Sequence, residues 1–327
     1  MDYISGWCRS KRRLDGVTAV VTGSNTGIGK ETVREFYKRG ARVIMACRSV
    51  EKAEDARKEI ISEFFSNARS EEKPGSIAVE QLDLASLASV RAFAARVLEN
   101  EPELSILVNN AGVMMCPEGR TEDGFETHMG TNHFAHALLT LLLLPRLKRN
   151  APARVVCVSS YLHQTYELDL NDMNFENTKY DALKAYCWSK AANVLFAKAL
   201  ARKLKEHGID NVTTYSLHPG VIRTEISRHF STTFLKGATW AFNNLMAWFV
   251  KSPRCGAQTS IYCAIDEACA GQSGLYYQDC AAYPTSKQCR KDEVADEFWV
   301  KTVAALKLGN YNAFGDDDPT DDILKLN

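Results

Sequence analysis

A chain of 327 residues with 45% hydrophobic content can bury a sizeable core, which excludes a disordered or fibrous protein. Forty basic and forty acidic residues cancel, so no overall field recruits nucleic acid, and a small-molecule partner is expected. Ten cysteines without a CxxC pair, and no His/Cys ligand spacing, argue against a metal site and for reduced thiols in an intracellular setting, cytoplasmic or peripheral to a membrane.

The first element spans residues 14–29, LDGVTAVVTGSNTGIG, a β-branched strand, a glycine turn and a helix start. Glycines at 23, 27 and 29 suit a sharp turn and close approach of the backbone to a pyrophosphate, with free N–H groups of the helix facing the anion. The spacing Gly-x3-Gly-x-Gly is one residue off the generic dinucleotide fingerprint, so a turn without a ligand is the other reading. A helix over 30–39 stops at Gly40, and a strand over 41–46 follows. NAD-preferring enzymes carry Asp or Glu after that strand; this chain has Cys47-Arg48. Arg48 either meets the extra phosphate of NADP, with Lys30 assisting, or is a solvated surface residue.

A charged amphipathic helix over 51–68 and a loop lead to a strand over 77–82. Asp83 at its end either contacts an adenine amine or caps the next helix, expected over 87–98. A strand over 105–108 runs into Asn109-Asn-Ala-Gly112; a helix follows Thr121, with its most apolar run, 138–144, as buried core. Strands over 154–158 and 212–217 flank a long helix over 186–203. This alternation predicts a single α/β domain of Rossmann type, a doubly wound parallel sheet with helices on both faces. No stretch approaches the roughly 20 apolar residues of a membrane span, and the amino terminus lacks the apolar core of a signal peptide. The acidic tail, 315–327, is expected to be solvated.

Tyr186 and Lys190 stand four residues apart on one helix face, where an ammonium is expected to lower the phenol's pKa and suit it to general acid and base work. The pair alone arises by chance on many helices. Three features add to it: Ser159-Ser160 at the carboxyl end of an apolar strand, Asn132 inside an otherwise apolar helix, and Pro219-Gly220 after another strand.

Together, residues 22–29, Asp83-Leu84, Asn109-Asn-Ala-Gly112, Asn132, Ser159-Ser160, Tyr186-Cys-Trp-Ser-Lys190 and His218-Pro-Gly220 resemble the short-chain dehydrogenase/reductase family over residues 14–277. The phrases MACRSVEKAE, TEDGFETHMGTNHFAH and HPGVIRTEI are most similar to its retinol dehydrogenase branch, which also includes the oxidoreductase domain of a WW-domain protein. The resemblance implies Tyr186 as proton donor or acceptor, Lys190 as its modulator and a ribose ligand, Ser160 as the partner of the substrate oxygen, and Asn132 as holder of a water. It implies NADP held by Gly23, Asn25, Thr26, Gly27, Ile28, Gly29, Arg48, Asp83, Leu84, Asn110, Ala111, Gly112, Tyr186, Lys190, Pro219, Gly220, Val221 and Thr224.

The segment over 226–252, dense in Phe and Trp, is a lid over a lipophilic pocket, a helix resting on a membrane surface, or a helix packed on the core. The resemblance implies a lipophilic substrate such as a retinoid, and either a monomer or a homodimer paired through the helices after Gly124 and Tyr186. Many relatives in this branch begin with a membrane anchor that this sequence does not show. The expected activity is NADP-dependent interconversion of a lipophilic alcohol and its aldehyde or ketone. A carbonyl reductase of steroid or lipid-derived aldehydes, or an NADP(H)-binding regulator without turnover, are the alternatives.

Overall fold

The computed structural model describes residues 2, 5–67, 73–222 and 251–325. The apolar runs become eight strands of one sheet: β1 (Thr18–Thr22), β2 (Arg42–Cys47), β3 (Ser76–Gln81), β4 (Ile106–Asn109), β5 (Ala153–Val158), β6 (Val212–His218), β7 (Leu275–Gln278) and β8 (Ala281–Ala282). Their order is β3-β2-β1-β4-β5-β6-β7-β8, all parallel except β8, which returns antiparallel at the edge. Strands β1, β4 and β5 are buried at every residue, as strands covered on both faces must be.

One face is covered by α1 (Gly27–Lys38), α2 (Val50–Asn67) and α6 (Pro253–Ile265), whose Val33, Phe36, Ile60 and Ile261 share a core with Val21 and Val108. The other carries α3 (Leu87–Asn100), α4 (Ala135–Arg149) and α5 (Ala182–Glu206). The run 138–144 lies within α4 and is buried throughout. Winding outward from β1 in both directions leaves a crevice above the carboxyl ends of β1 and β4, where open sheets of this kind bind ligands.

The helix after the glycine turn begins at Gly27, three residues before the expected start, so the turn's last glycines belong to the helix. The chain beyond residue 277 adds α7 (Lys287–Arg290), α8 (Asp292–Leu306) and α9 (Asp321–Lys325). Helix α8 packs on α5: Trp299 stacks on Phe196 with ring centroids 5.9 Å apart, and Arg202 pairs with Asp296 at 2.8 Å. The acidic tail is not simply solvated. Asp318 pairs with Arg146 at 2.8 Å and Arg149 at 2.5 Å, and Lys148 donates to the carbonyls of Phe314 and Gly315, because the basic last turn of α4 attracts it.

All ten cysteines are thiols. Among the described residues no helix is long and apolar enough to cross a membrane. Most of the aromatic segment over 226–252 lies outside the described residues. Its flanks meet: Lys251 N–H donates to the Val221 carbonyl at 2.8 Å, and Ile222 and Lys251 form a parallel bridge.

Candidate active site

The glycine turn is built around contacts that a side chain would block. Gly23 has φ +61°, and a Cβ there would lie 2.8 Å from Ala111; at Gly29 it would lie 2.5 Å from Asn110 Nδ2 and 2.6 Å from the Gly23 carbonyl. The turn and the loop after β4 are therefore pressed together. Thr26, the N-cap of α1, makes no side-chain cap bond, which leaves the helix's first N–H groups for a ligand.

A crevice of about 270 Å³ opens there, lined by Gly23, Asn25, Thr26, Gly27, Ile28, Gly29, Arg48, Asp83, Leu84, Asn110, Ala111 and Gly112. Every crevice residue expected from the first half of the sequence thus lines one space. The structure adds Ser49, Lys52, Val113, Met114 and Thr131. A larger cleft of about 720 Å³ lies elsewhere, between the amino-terminal segment, α1, α2 and α6, and none of the expected site residues lines it.

The crevice floor is tied by a residue the sequence reading used only as part of a motif. Thr22 Oγ1 accepts from the N–H groups of Asn110 and Ala111, each at 2.9 Å, and lies 2.9 Å from His136 Nε2. His136 Nδ1 donates to the Asn132 carbonyl at 3.0 Å, so Nε2 is the lone pair that receives the Thr22 hydroxyl. Burial pulls the His136 pKa down to about 4, with the Lys190 charge adding to the effect, and the ring is neutral. His136 follows Asn132 by one helical turn, the only signal in the sequence that pointed to it.

Asn132 sits in a π-helical turn, Met129–Phe134, ahead of α4, a widening frequent at functional sites. Its Nδ2 donates to the Val113 carbonyl at 3.0 Å and to Ser189 Oγ at 2.9 Å, while Oδ1 accepts from Val113 N–H at 2.8 Å. Ser189 Oγ in turn donates to the Tyr186 carbonyl at 2.8 Å. A poor helix former is thus present in an apolar helix because it clamps the crevice loop to α5.

Tyr186 and Lys190 face the same space, with Lys190 Nζ 5.7 Å from the Tyr186 ring centre. Lys190 donates to the Val158 carbonyl at 3.1 Å, and a Cβ at Gly112 would stand 3.4 Å from its Nζ. Ser160, at the end of β5, reaches Tyr186 with its hydroxyl. Ser159 instead turns inward and donates to the Lys190 carbonyl at 2.6 Å. His128, passed over in the sequence, packs edge-on against Tyr186 with centroids 6.3 Å apart, held by Glu126 at 2.7 Å and the Cys116 N–H at 3.1 Å.

The expectation that Lys190 lowers the Tyr186 pKa does not hold here. Burial pushes the phenol up to about 12, only partly offset by the Ser160 hydrogen bond. Burial also pulls Lys190 down to about 8, so the amine is a weaker source of positive charge than an exposed lysine. Tyr186 is accordingly a protonated phenol at neutral pH.

Arg48 and Lys52 stand exposed at the crevice rim, and among the described residues neither has an ion-pair partner. Lys30 does not join them; it pairs with Glu59 on α2 at 2.5 Å. Asp83 lines the crevice but does not cap α3: its Oδ1 accepts from Ala85 N–H at 2.9 Å in the turn before the helix, and Ser86 is the N-cap. Pro219, Gly220 and Val221 follow β6 and are not among the residues that line the glycine crevice; Gly220 has φ +99° and lies against Lys251. Thr224 lies outside the described residues.

A family profile described as short chain dehydrogenase matches residues 17–233. Human retinol dehydrogenase 12 is 48% identical over 297 residues, covering 91% of this chain and 88% of that protein. Human retinol dehydrogenase 11 is 46% identical over 304 residues, with 93% and 90% covered. Among solved structures, an uncharacterised protein from Mycobacterium paratuberculosis superposes with a TM-score of 0.71 at 30% identity, covering 92% of this chain and 97% of that one. The RhlG/NADP active-site complex of Pseudomonas aeruginosa gives 0.61 at 26% identity, with 81% and 94% covered.

Proposed function

From the premise that this chain belongs to the short-chain dehydrogenase family, we propose that it is an NADP-dependent oxidoreductase interconverting a lipophilic, retinoid-like alcohol with its aldehyde or ketone. The observation that carries the reading is the buried Tyr186–Ser160 pair, with Lys190 beside it and against Gly112 of the glycine crevice. The crevice fits a dinucleotide: glycines too crowded for a Cβ and the open start of α1 would take the pyrophosphate. Arg48 and Lys52 would take the 2′-phosphate, Asp83 and Leu84 the adenine, and Asn110 to Gly112 with Lys190 the nicotinamide ribose. Pro219, Gly220, Val221 and Thr224 would cover the nicotinamide amide.

Bound NADPH supplies the hydride. Tyr186, a protonated phenol, donates its proton to the carbonyl oxygen as charge develops there, and Ser160 holds that oxygen by a hydrogen bond. Lys190 then faces the phenolate and stabilises it. Held up at about 12, the phenol carries its proton at neutral pH, the state from which carbonyl reduction starts. The retinol dehydrogenases to which the chain is 46–48% identical support a retinal-like substrate.

In this reading residues 14–277 form the catalytic core. The protein is taken as a monomer, supported by α8 packing on α5 and by the tail pairing with α4, the helices through which a homodimer would form. The test is NADPH consumption with all-trans-retinal, medium-chain aldehydes and steroid ketones, with NADH alongside. Tyr186→Phe should still bind NADPH and lose turnover; retained turnover overturns the assignment.

A further inference from the structure

The carboxyl ends of β6 and β7 carry an unusual set of side chains. Thr214 Oγ1 donates to the Ala197 carbonyl of α5 at 2.6 Å, so strand alternation turns Ser216 and His218 to the same face. The parallel register pairs Ser216 with Tyr276 and His218 with Gln278, which puts all four side chains on the face that carries Tyr186. Each has a buried polar atom without a hydrogen-bond partner among the described residues: Ser216 Oγ, His218 Nδ1, Tyr276 Oη and Gln278 Oε1. Tyr276 is 2% exposed and His218 9%. Native proteins leave few such atoms, and each requires an explanation.

The group adjoins the candidate catalytic serine. His163, on the turn after Ser160, lies against Tyr276 with centroids 4.7 Å apart, and the Tyr161 ring is 6.2 Å from His218. His163 does not satisfy Tyr276, because its nitrogens serve the Ser160 carbonyl at 2.7 Å and the Ser286 N–H at 3.2 Å. Two strand spacings separate the ends of β5 and β7, about 10 Å.

We propose that Tyr276, Gln278 and His218 form a polar subsite that receives a second oxygen function of the substrate, a hydroxyl about 10 Å from the reacting carbonyl. This rests on the carbonyl-reduction reading above. Burial keeps Tyr276 protonated and therefore a donor, while Gln278 Oε1 is an acceptor. A hydroxyl gives and takes one hydrogen bond and satisfies both; a hydrocarbon end satisfies neither. The preferred substrate class is a hydroxylated lipophilic aldehyde or ketone.

The experiment measures kcat/KM for nonanal and ω-hydroxynonanal with NADPH, in the wild type, Tyr276→Phe and Gln278→Leu. The wild type should favour the hydroxylated aldehyde about ten-fold, the worth of one added hydrogen bond, and each variant should bring that ratio towards one. Reading a ratio within one enzyme keeps the result independent of how much of a variant folds. A wild-type ratio near one, or a ratio unchanged in both variants, overturns the subsite and assigns its polar atoms to water. No turnover of either aldehyde overturns the carbonyl-reduction reading and the subsite with it.

Discussion

Replacing Thr22 by Val keeps the shape of a fully buried side chain and removes only the hydroxyl that joins β1, the loop after β4 and His136. The N–H of Asn110 retains a second acceptor, the Val108 carbonyl at 3.0 Å, but the Ala111 N–H has only Thr22, and His136 Nε2 loses its donor. Two polar groups are then left unpaired at about 1–3 kcal/mol each, so the expected loss is about 2–6 kcal/mol. Urea unfolding should show the midpoint falling by roughly 1–2 M with an unchanged slope. NADPH binding should weaken in parallel, because the same hydroxyl sets the position of Ala111 against Gly23. Thr22→Ser should recover most of both. A Thr22→Val protein within about 0.5 kcal/mol of the wild type, the range of an ordinary surface substitution, would refute the view that this hydroxyl holds the crevice together.

Arg48→Glu should raise KM for NADPH by about ten- to a hundred-fold, since a charge-assisted phosphate contact is worth about 1.5–3 kcal/mol, while KM for NADH changes little; equal effects would remove Arg48 from the 2′-phosphate. Acid should destabilise the protein through its buried histidines. Burial holds His133 down at about 3 and His136 at about 4, below the ordinary 6.5, so the unfolded chain binds more protons between those values. Their stabilising contribution is complete above pH 6.5 and is lost as pH falls towards 4, and His133→Gln should flatten the slope of stability against pH in that window. Light scattering should give the mass of one 36.5 kDa chain, and a dimer would mean that α8 and the tail do not occlude the pairing faces. Asp318→Asn should cost stability modestly, about 1 kcal/mol, because its pair with the mostly buried Arg146 is better shielded than a surface pair; no change in unfolding would return the tail to solvent.

Much of the site was legible before any coordinates because its parts are local. A glycine turn needs residues that tolerate positive φ, as Gly23 and Gly27 do, and a strand followed by a helix is marked by a change of hydrophobic period. The spacing of Tyr186 and Lys190 settled that they share a face, and Asn132 declared itself by being out of place in an apolar helix. The direction of the Tyr186 pKa was not legible. It depends on how much protein surrounds the phenol, which no four-residue spacing contains, and desolvation outweighs a neighbouring amine that burial has itself weakened.

The polar atoms at the ends of β6 and β7, the Thr22–His136 link and the pinning of the acidic tail were equally hidden, since each joins residues from 60 to 172 positions apart. Sequence alone determined the alternation of strands and helices up to β6, the glycine turn and the shared face of Tyr186 and Lys190, because these follow from backbone preference and helical or strand period. Tertiary structure alone decided which charges are paired, which polar groups are left waiting for a partner and which titratable groups burial shifts, because those are set by burial and by contacts between distant parts of the chain.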